Sequence, residues 1–103
     1  MLENVNLEDV DLTGASFANA QIDGGNWARA DATDASFAGA TMKGTLLDYA
    51  TLTRTSFRGA RLTEVSFVAS AGVSDADFNG AELVGCVDGA TFDGGGPFAP
   101  LAD

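Results

Sequence analysis

The fold this sequence predicts is an all-β solenoid: a four-sided coil of about five turns, stacked like a spring. Two periods predict it. Apolar residues recur every five positions, at Leu7, Leu12, Phe17, Ile22, Trp27, Ala32, Phe37, Met42, Leu47, Leu52, Phe57, Leu62 and Phe67. A small residue stands two before most of them, as at Ala15, Ala20, Gly25, Ala30, Ala35, Ala40, Thr45, Ala50, Thr55 and Ala60. The second period is twenty: Ala15-Ser16-Phe17, Ala35-Ser36-Phe37 and Thr55-Ser56-Phe57, then Ala76-Asp77-Phe78 after one extra residue. Twenty residues at five per side make four sides.

A five-residue period suits neither regular element. Positions five apart scatter around an α-helix, which turns about 100° per residue. On a strand an odd period would flip each successive Leu or Phe to the other face. The chain must instead turn a corner every five residues. Each side is then a very short extended segment with one small and one large inward position.

The elements follow in order as four inward columns. The first side stacks Leu2, Ile22, Met42, Leu62 and Leu83; the second, Leu7, Trp27, Leu47, Phe67 and Val87; the third, Leu12, Ala32, Leu52, Val73 and Phe92; the fourth, Phe17, Phe37, Phe57 and Phe78. One residue is added near Ser70 and one is lost near Val84, so Val87 and Phe92 return to the original register. Ala32 follows Trp27 in the repeat and is expected to make room for the indole, because cores hold their volume nearly constant. Gly14, Gly24, Gly39, Gly44, Gly59, Gly80, Gly89 and Gly94 share the last repeat position and fit corners that need φ > 0.

Units such as Val10-Asp11-Leu12-Thr13-Gly14 and Ala76-Asp77-Phe78-Asn79-Gly80 resemble the pentapeptide repeat family, whose consensus is roughly Ala-(Asp/Asn)-Leu-x-x. The resemblance covers about residues 2–94. It implies a right-handed quadrilateral β-helix and a non-enzymatic protein. Some family members, of the quinolone-resistance type, resemble duplex DNA in shape and charge and engage DNA gyrase.

The chain reads as one repeat domain, residues 1–94, with a tail, residues 95–103, that breaks the period and is expected to cap the last coil. Phe98 and Leu101 would form the lid, and Pro97 and Pro100 would stop further strand pairing. At the other end the repeat starts at Leu2 with nothing before it. That first coil is expected to pair with another chain, or the sequence belongs to a larger protein. Leu2, Phe98 and Leu101 are therefore the candidate end contacts.

Fifteen acids against five cations give a net charge of −10, which argues against direct binding to nucleic acid. The cations all lie between Arg29 and Arg61. Residues twenty apart stack, so outward columns can be read as well. Asp9, Arg29 and Tyr49 share one column, predicting an ion pair and a cation–π contact. Asp34, Arg54 and Asp75 share another, Asp23 underlies Lys43, Arg61 underlies Glu82, and Arg58 lies diagonal to Asp77. Each cation thus has an acidic neighbour one coil away, in pairs that contribute little at a surface. Asp11 and Asp31 stack with like sign at about 4.8 Å, which is mildly unfavourable. With Asp9 and Asp34 they form a candidate acidic face for a cationic partner, weighed against a solvated face that serves solubility.

Other constellations are weaker. Asp75-Ala76-Asp77-Phe78-Asn79-Gly80 matches half of an EF-hand loop, but Cys86 stands where the bidentate Glu belongs. With no histidine in the chain, the lone Cys86 has no base to activate it and reads as a small outward or half-buried residue. Neither a metal nor a cofactor is expected. Ser16, Ser36 and Ser56, like Thr13, Thr33, Thr53 and Ser74, read as surface ladders suited to flat stacking. The side showing Ser16, Ala18, Ser36, Ala38, Ser56 and Arg58 is expected to be flat and is a candidate interface for side packing. Leu46, Val68, Val84 and Cys86 form a small candidate apolar cluster.

These readings favour a rigid binding or scaffold module over an enzyme, acting in the cytoplasm, since no signal peptide or membrane span is legible. The alternative is a DNA-mimic protein that inhibits or protects DNA gyrase. A rod of roughly 25 Å covers only about seven base pairs, so that reading calls for an end-to-end homodimer.

Overall fold

In the computed structural model of the chain, residues 1–86 are described. Val87, Gly89, Phe92, Gly94, the domain boundary at 94 and the tail with Phe98 and Leu101 lie outside the described residues. Within them the chain forms the expected four-sided β-helix. The first side of each coil is a short strand: β1 (Leu2–Glu3), β2 (Gln21–Asp23), β3 (Thr41–Lys43), β4 (Arg61–Thr63) and β5 (Glu82–Val84). They pair in parallel in chain order, β1-β2-β3-β4-β5, with Leu2, Ile22, Met42, Leu62 and Leu83 in register.

The other three sides are held by single parallel bridges. Asn6, Asn26, Leu46 and Ser66 stack on the second side, Asp11, Asp31, Thr51 and Ala71 on the third, and Ser16, Ser36, Ser56 and Asp77 on the fourth. Between them, the large residue of one repeat accepts a bond from the small residue three positions on, as Ala40 N–H does with the Phe37 carbonyl at 3.0 Å. Most backbone N–H groups therefore serve the neighbouring coil or the corner, which is how so short a strand stays satisfied.

The inward columns appear as expected among the described residues. Trp27, Phe37, Phe57, Phe67, Met42, Leu47, Leu52 and Leu62 are fully buried. The small positions tolerate hydroxyls because each finds a backbone carbonyl inside the coil: Thr45 Oγ1 donates to Gly24 O at 3.0 Å, Thr55 Oγ1 to Ala32 O at 2.7 Å and Ser70 Oγ to Leu47 O at 2.8 Å. Room for the indole is also left at Gly25. A Cβ there would stand 2.9 Å from Trp27 Nε1 and 2.7 Å from the Val5 carbonyl. Ala32 is itself buried in the core.

The extra residue falls slightly later than the sequence placed it. Ala71 still pairs with Thr51, twenty residues back, whereas Asp77 pairs with Ser56, twenty-one back. Between them Gly72 takes a left-handed conformation, φ 75°, and Val73–Asp75 form one 3₁₀ turn. The bulge leaves Val73 buried in its column.

The corners are more uniform than the glycines alone predict. The last repeat position has positive φ in every repeat from Asn4 to Ala69, and nine of these residues are not glycine: Asn4, Asp9, Asn19, Arg29, Asp34, Tyr49, Arg54, Glu64 and Ala69. Packing of the inward columns imposes the corner and the local residue accepts it.

Candidate functional site

The acidic face is assembled from two kinds of position. Asp9 and Asp34 sit at corners, at φ 64° and 61°, and point along the coil axis to cations one coil away. Arg29 Nε donates to Asp9 Oδ1 at 3.0 Å, and the same guanidinium also reaches Glu8. Arg54 grips Asp34 with two parallel bonds, Nε to Oδ1 at 2.7 Å and an Nη to Oδ2 at 3.1 Å. That guanidinium holds the Asp34 carboxyl below its ordinary value, and the Asp34 hydrogen bond raises Arg54 in return. Arg29 is raised by Asp9 for the same reason.

Asp11 and Asp31 occupy bridging positions, and the structure supplies partners the sequence reading did not foresee. Asp11 Oδ1 accepts from Thr13 Oγ1 at 2.6 Å and Thr13 N at 3.0 Å. Asp31 Oδ1 accepts from Thr33 Oγ1 at 2.6 Å and Thr33 N at 3.1 Å. The Thr13 hydroxyl is the larger reason that the Asp11 carboxyl is lowered. The legible signal was the spacing Asp-x-Thr, in which a short acceptor folds onto its own backbone two residues on. Asn6, Asn26 and Asp77 do the same for Glu8, Ala28 and Asn79. All four members of the acidic face are thus already engaged within the chain while staying exposed to solvent.

Of the five expected cation pairings, four form as ion pairs. Besides Arg29 and Arg54, Arg58 meets Asp77 at 3.0 Å and Arg61 meets Glu82 at 3.4 Å. Lys43 stands in register with Asp23 but makes no ion pair among the described residues. The Tyr49 ring, 61% exposed, makes no ring contact with Arg29 among the described residues. Tyr49 sits at a left-handed corner, φ 61°.

The side of Ser16, Ser36 and Ser56 is backed by the phenylalanine column. Behind it Phe17, Phe37, Phe57 and Phe78 form a continuous parallel ring stack, with centroids 5.1, 5.2 and 4.9 Å apart and planes within 8°. Trp27 tilts against Phe17 and Phe37, and Phe67 meets Phe57 and Phe78 edge-on. In front, the Ser16, Ser36 and Ser56 hydroxyls accept from Ala18, Ala38 and Arg58 N–H groups at 3.3–3.4 Å, so they too are turned onto the backbone. Ser16 and Ala18 are exposed, Ser36, Ala38 and Ser56 half-buried, and Arg58 rises above the plane toward Asp77.

Leu2 lies on β1, which among the described residues pairs only with β2, and it is half-buried, as are Leu7 and Phe17 of the same coil. Phe98 and Leu101 lie outside the described residues. The expected apolar cluster changes membership. Leu46 (42%) and Val84 (62%) are exposed, and Val68 binds the Tyr49 amide through its carbonyl at 2.8 Å. Cys86 instead packs against the core and points Sγ at the Leu62 carbonyl, 3.4 Å away, as Ser70 and Thr55 do with carbonyls below them. Burial pushes its thiol pKa up, which works against a thiolate nucleophile. Asp75 lies on the 3₁₀ turn, and among the described residues no three His, Cys, Asp or Glu side chains gather to hold a metal. Nor is any helix among them long and apolar enough to cross a membrane.

The comparisons agree with this architecture. The family model of pentapeptide repeats matches in eight copies, over residues 1–26, 11–48 and 28–64. No curated protein matches. Among solved structures, alr5209, a pentapeptide repeat protein from Nostoc PCC 7120, is 25% identical with a TM-score of 0.52, covering 86% of this chain and 78% of that one. Trypsin-treated QnrB1, a plasmid-mediated fluoroquinolone resistance protein, is 16% identical with a TM-score of 0.50, covering 82% of this chain and 49% of that one. HetL, a pentapeptide repeat protein involved in heterocyst differentiation regulation in the cyanobacterium Nostoc sp. strain PCC 7120, is 24% identical with a TM-score of 0.41, covering 76% of this chain and 40% of that one. The chain spans less than half the length of HetL and QnrB1. What it shares with QnrB1 is the fold.

Proposed function

The chain belongs to the pentapeptide repeat family, and from that premise we propose that it is a non-enzymatic binding or scaffold module that offers a rigid, patterned surface to a protein partner in the cytoplasm. The observation that carries this reading is the state of its polar side chains. The carboxylates of Asp9, Asp11, Asp31, Asp34 and Asp77 each have a partner inside the chain, and the serines of the flat side bond their own backbone. Chemistry needs groups held in reserve with shifted proton affinity and room for a substrate. Recognition needs a fixed surface, and a pre-organised one binds with less loss of freedom. The flat side with Ser36, Ala38 and Ser56 is the favoured contact, by side packing against a partner or a second copy.

The test compares proteins captured from cell extract by the wild type with those captured by single outward substitutions on each side, such as Ala38→Arg on the flat side and Ala28→Arg on the second. Partners lost with Ala38→Arg and kept with Ala28→Arg support the reading. A captured set that no side's substitution changes overturns it.

A second reading, a DNA mimic acting on DNA gyrase, is favoured by one observation, the net charge of −10 on a β-helix. Four of the five cations neutralise acids on the surface, which weakens the resemblance to duplex phosphates. A supercoiling assay of gyrase with and without a quinolone decides it. Inhibition or drug protection that is lost on combining Asp11→Ala and Asp31→Ala supports the mimic, and no effect at high protein concentration removes it.

A further inference from the structure

We propose that the Asn79–Gly80 corner is a site of spontaneous backbone modification, where the Gly80 amide nitrogen closes on the Asn79 side chain to form a succinimide and then isoaspartate. Two features coincide there and at no other asparagine. The first is the glycine itself. Among the five asparagines, Asn4, Asn6, Asn19, Asn26 and Asn79, this is the one followed by a residue with no Cβ to shield its amide. The second is visible in the structure. At the lower glycine corners the N–H is bound by the coil above: Gly14 to Thr33 O at 2.9 Å, Gly24 to Lys43 O at 2.6 Å, Gly39 to Arg58 O at 2.8 Å, Gly44 to Thr63 O at 2.9 Å and Gly59 to Asn79 O at 2.9 Å. The Gly80 N–H has no acceptor among the described residues. The amides after Asn6, Asn19 and Asn26 are all bound, Leu7 N to Asn26 O, Ala20 N to Phe17 O and Trp27 N to Leu46 O. Asp23-Gly24 shares the glycine but not the free amide.

The chemistry needs only water. The Gly80 nitrogen forms a bond to Asn79 Cγ, the Cγ–NH₂ bond breaks, and ammonia leaves with the proton that the Gly80 amide gives up. Water then adds across one of the two imide bonds, leaving aspartate or isoaspartate. Asn79 and Gly80 are both exposed, so water reaches them. Ring closure turns the Asn79–Gly80 peptide plane and so breaks the bond from Gly59 N–H to the Asn79 carbonyl. The reaction therefore runs from a locally opened corner, and the cost of such opening differs from place to place in a fold. The isoaspartyl product carries one more main-chain atom and one more negative charge. Its side no longer matches the coil below, and the Gly59 bond cannot re-form in its old place. The corner behind the Phe57–Phe78 stack loosens as the protein ages.

The experiment incubates the folded full chain in mildly alkaline buffer, with a parallel sample in urea, and quantifies isoaspartate at each asparagine by peptide mass spectrometry. The expected result is conversion at Asn79 in the folded sample at least about tenfold faster than at Asn4, Asn6, Asn19 or Asn26, because its following amide belongs to a glycine and is unbound among the described residues, so less has to open first. Folded Asn79→Ser should yield no isoaspartate above that of the other four. Asn79 staying intact in the folded sample while the urea sample converts overturns the proposal, as does equal conversion at all five sites.

Discussion

Asp11 and Asp31 stand directly opposite one another on adjacent coils, and each turns its carboxylate onto the threonine two residues ahead. A like-charge stack that would be unfavourable between bare carboxylates is thereby kept in register. The hydroxyl and amide of Thr13 favour the ionised form of Asp11. Because the folded pKa is depressed, this bond stabilises the fold above the unfolded carboxylate value of about 3.9 and the stabilisation is lost as pH falls through the folded pKa. Thr13→Val should lower the melting temperature at neutral pH, and the difference from wild type should close in acid. A difference that stays constant with pH would assign the effect to something other than this carboxylate.

The Arg54–Asp34 pair has bidentate geometry, yet both side chains remain about half exposed, 63% and 47%. Such a pair is screened by water and salt. Asp34→Asn should shift the melting temperature only slightly at low ionic strength, and the shift should disappear in molar salt. A shift that persists at high salt would show that the side chain packs rather than pairs.

What was legible in the sequence is what periodicity encodes. Ile22, Met42 and Leu62 had to stack, because any other register would turn the large column outward, and the same logic placed Phe17, Phe37, Phe57 and Phe78. Charge positions one coil apart gave Arg29, Arg54, Arg58 and Arg61 their partners. Lys43 departs because its flexible stem and compact, strongly hydrated ammonium lack the planar fork of arginine. Counting residues shows that one is extra near Ser70 without showing which one; the bulge lies between Ala71 and Asp77. Gly72, the residue able to take a left-handed turn there, was the clue. Cys86 reads from the sequence as outward or half-buried because the register beyond Val84 is ambiguous; it is half-buried, twenty-one residues after buried Val65 in the small column. The Asx-type bonds of Asp11 and Asp31 are not encoded by charge or period but by the threonine two residues ahead of each.

Phe37 tests the ring stack. It is fully buried and touches Phe17, Phe57 and Trp27. Phe37→Ala should cost about 3–5 kcal/mol, a large part of the roughly 5–15 kcal/mol that holds a domain together. Because stability in a stack passes between neighbours, the loss should sever the first coil from the rest. Urea unfolding followed by the single Trp27 should show a lower midpoint, and a midpoint within error of wild type would mean that the rings do not support one another.

Ala69 holds a left-handed corner, φ 56°, with no side-chain group to compensate. A left-handed residue other than glycine costs roughly 1–2 kcal/mol, and glycine returns about 0.5–1 kcal/mol of that through the freedom it adds to the unfolded chain. Ala69→Gly should therefore stabilise the protein by about 0.5–1 kcal/mol, read as a higher urea midpoint. A lower midpoint would show that the Ala69 methyl makes a contact worth more than the strain.

Asn19 and Gly39 give the sharpest test of how neighbouring corners depend on each other. They stack one coil apart, and a Cβ on Gly39 would stand 2.4 Å from Asn19 Oδ1. Gly39→Ala thus has two costs, the left-handed backbone at φ 70°, about 1–2 kcal/mol, and the displaced asparagine side chain. Gly44 separates them, since at φ 66° a Cβ there meets nothing within 4 Å, so Gly44→Ala carries the backbone cost alone. The asparagine end is flexible and can swing away, which keeps the second cost small but measurable. Gly39→Ala should destabilise more than Gly44→Ala, and Asn19→Gly placed with Gly39→Ala should bring the loss back to the Gly44→Ala level. In a double-mutant cycle the coupling between Asn19 and Gly39 should then be non-zero, as expected for residues in contact. Additive losses at the two sites would mean that each corner is set by its own repeat, with no account taken of the coil above or below.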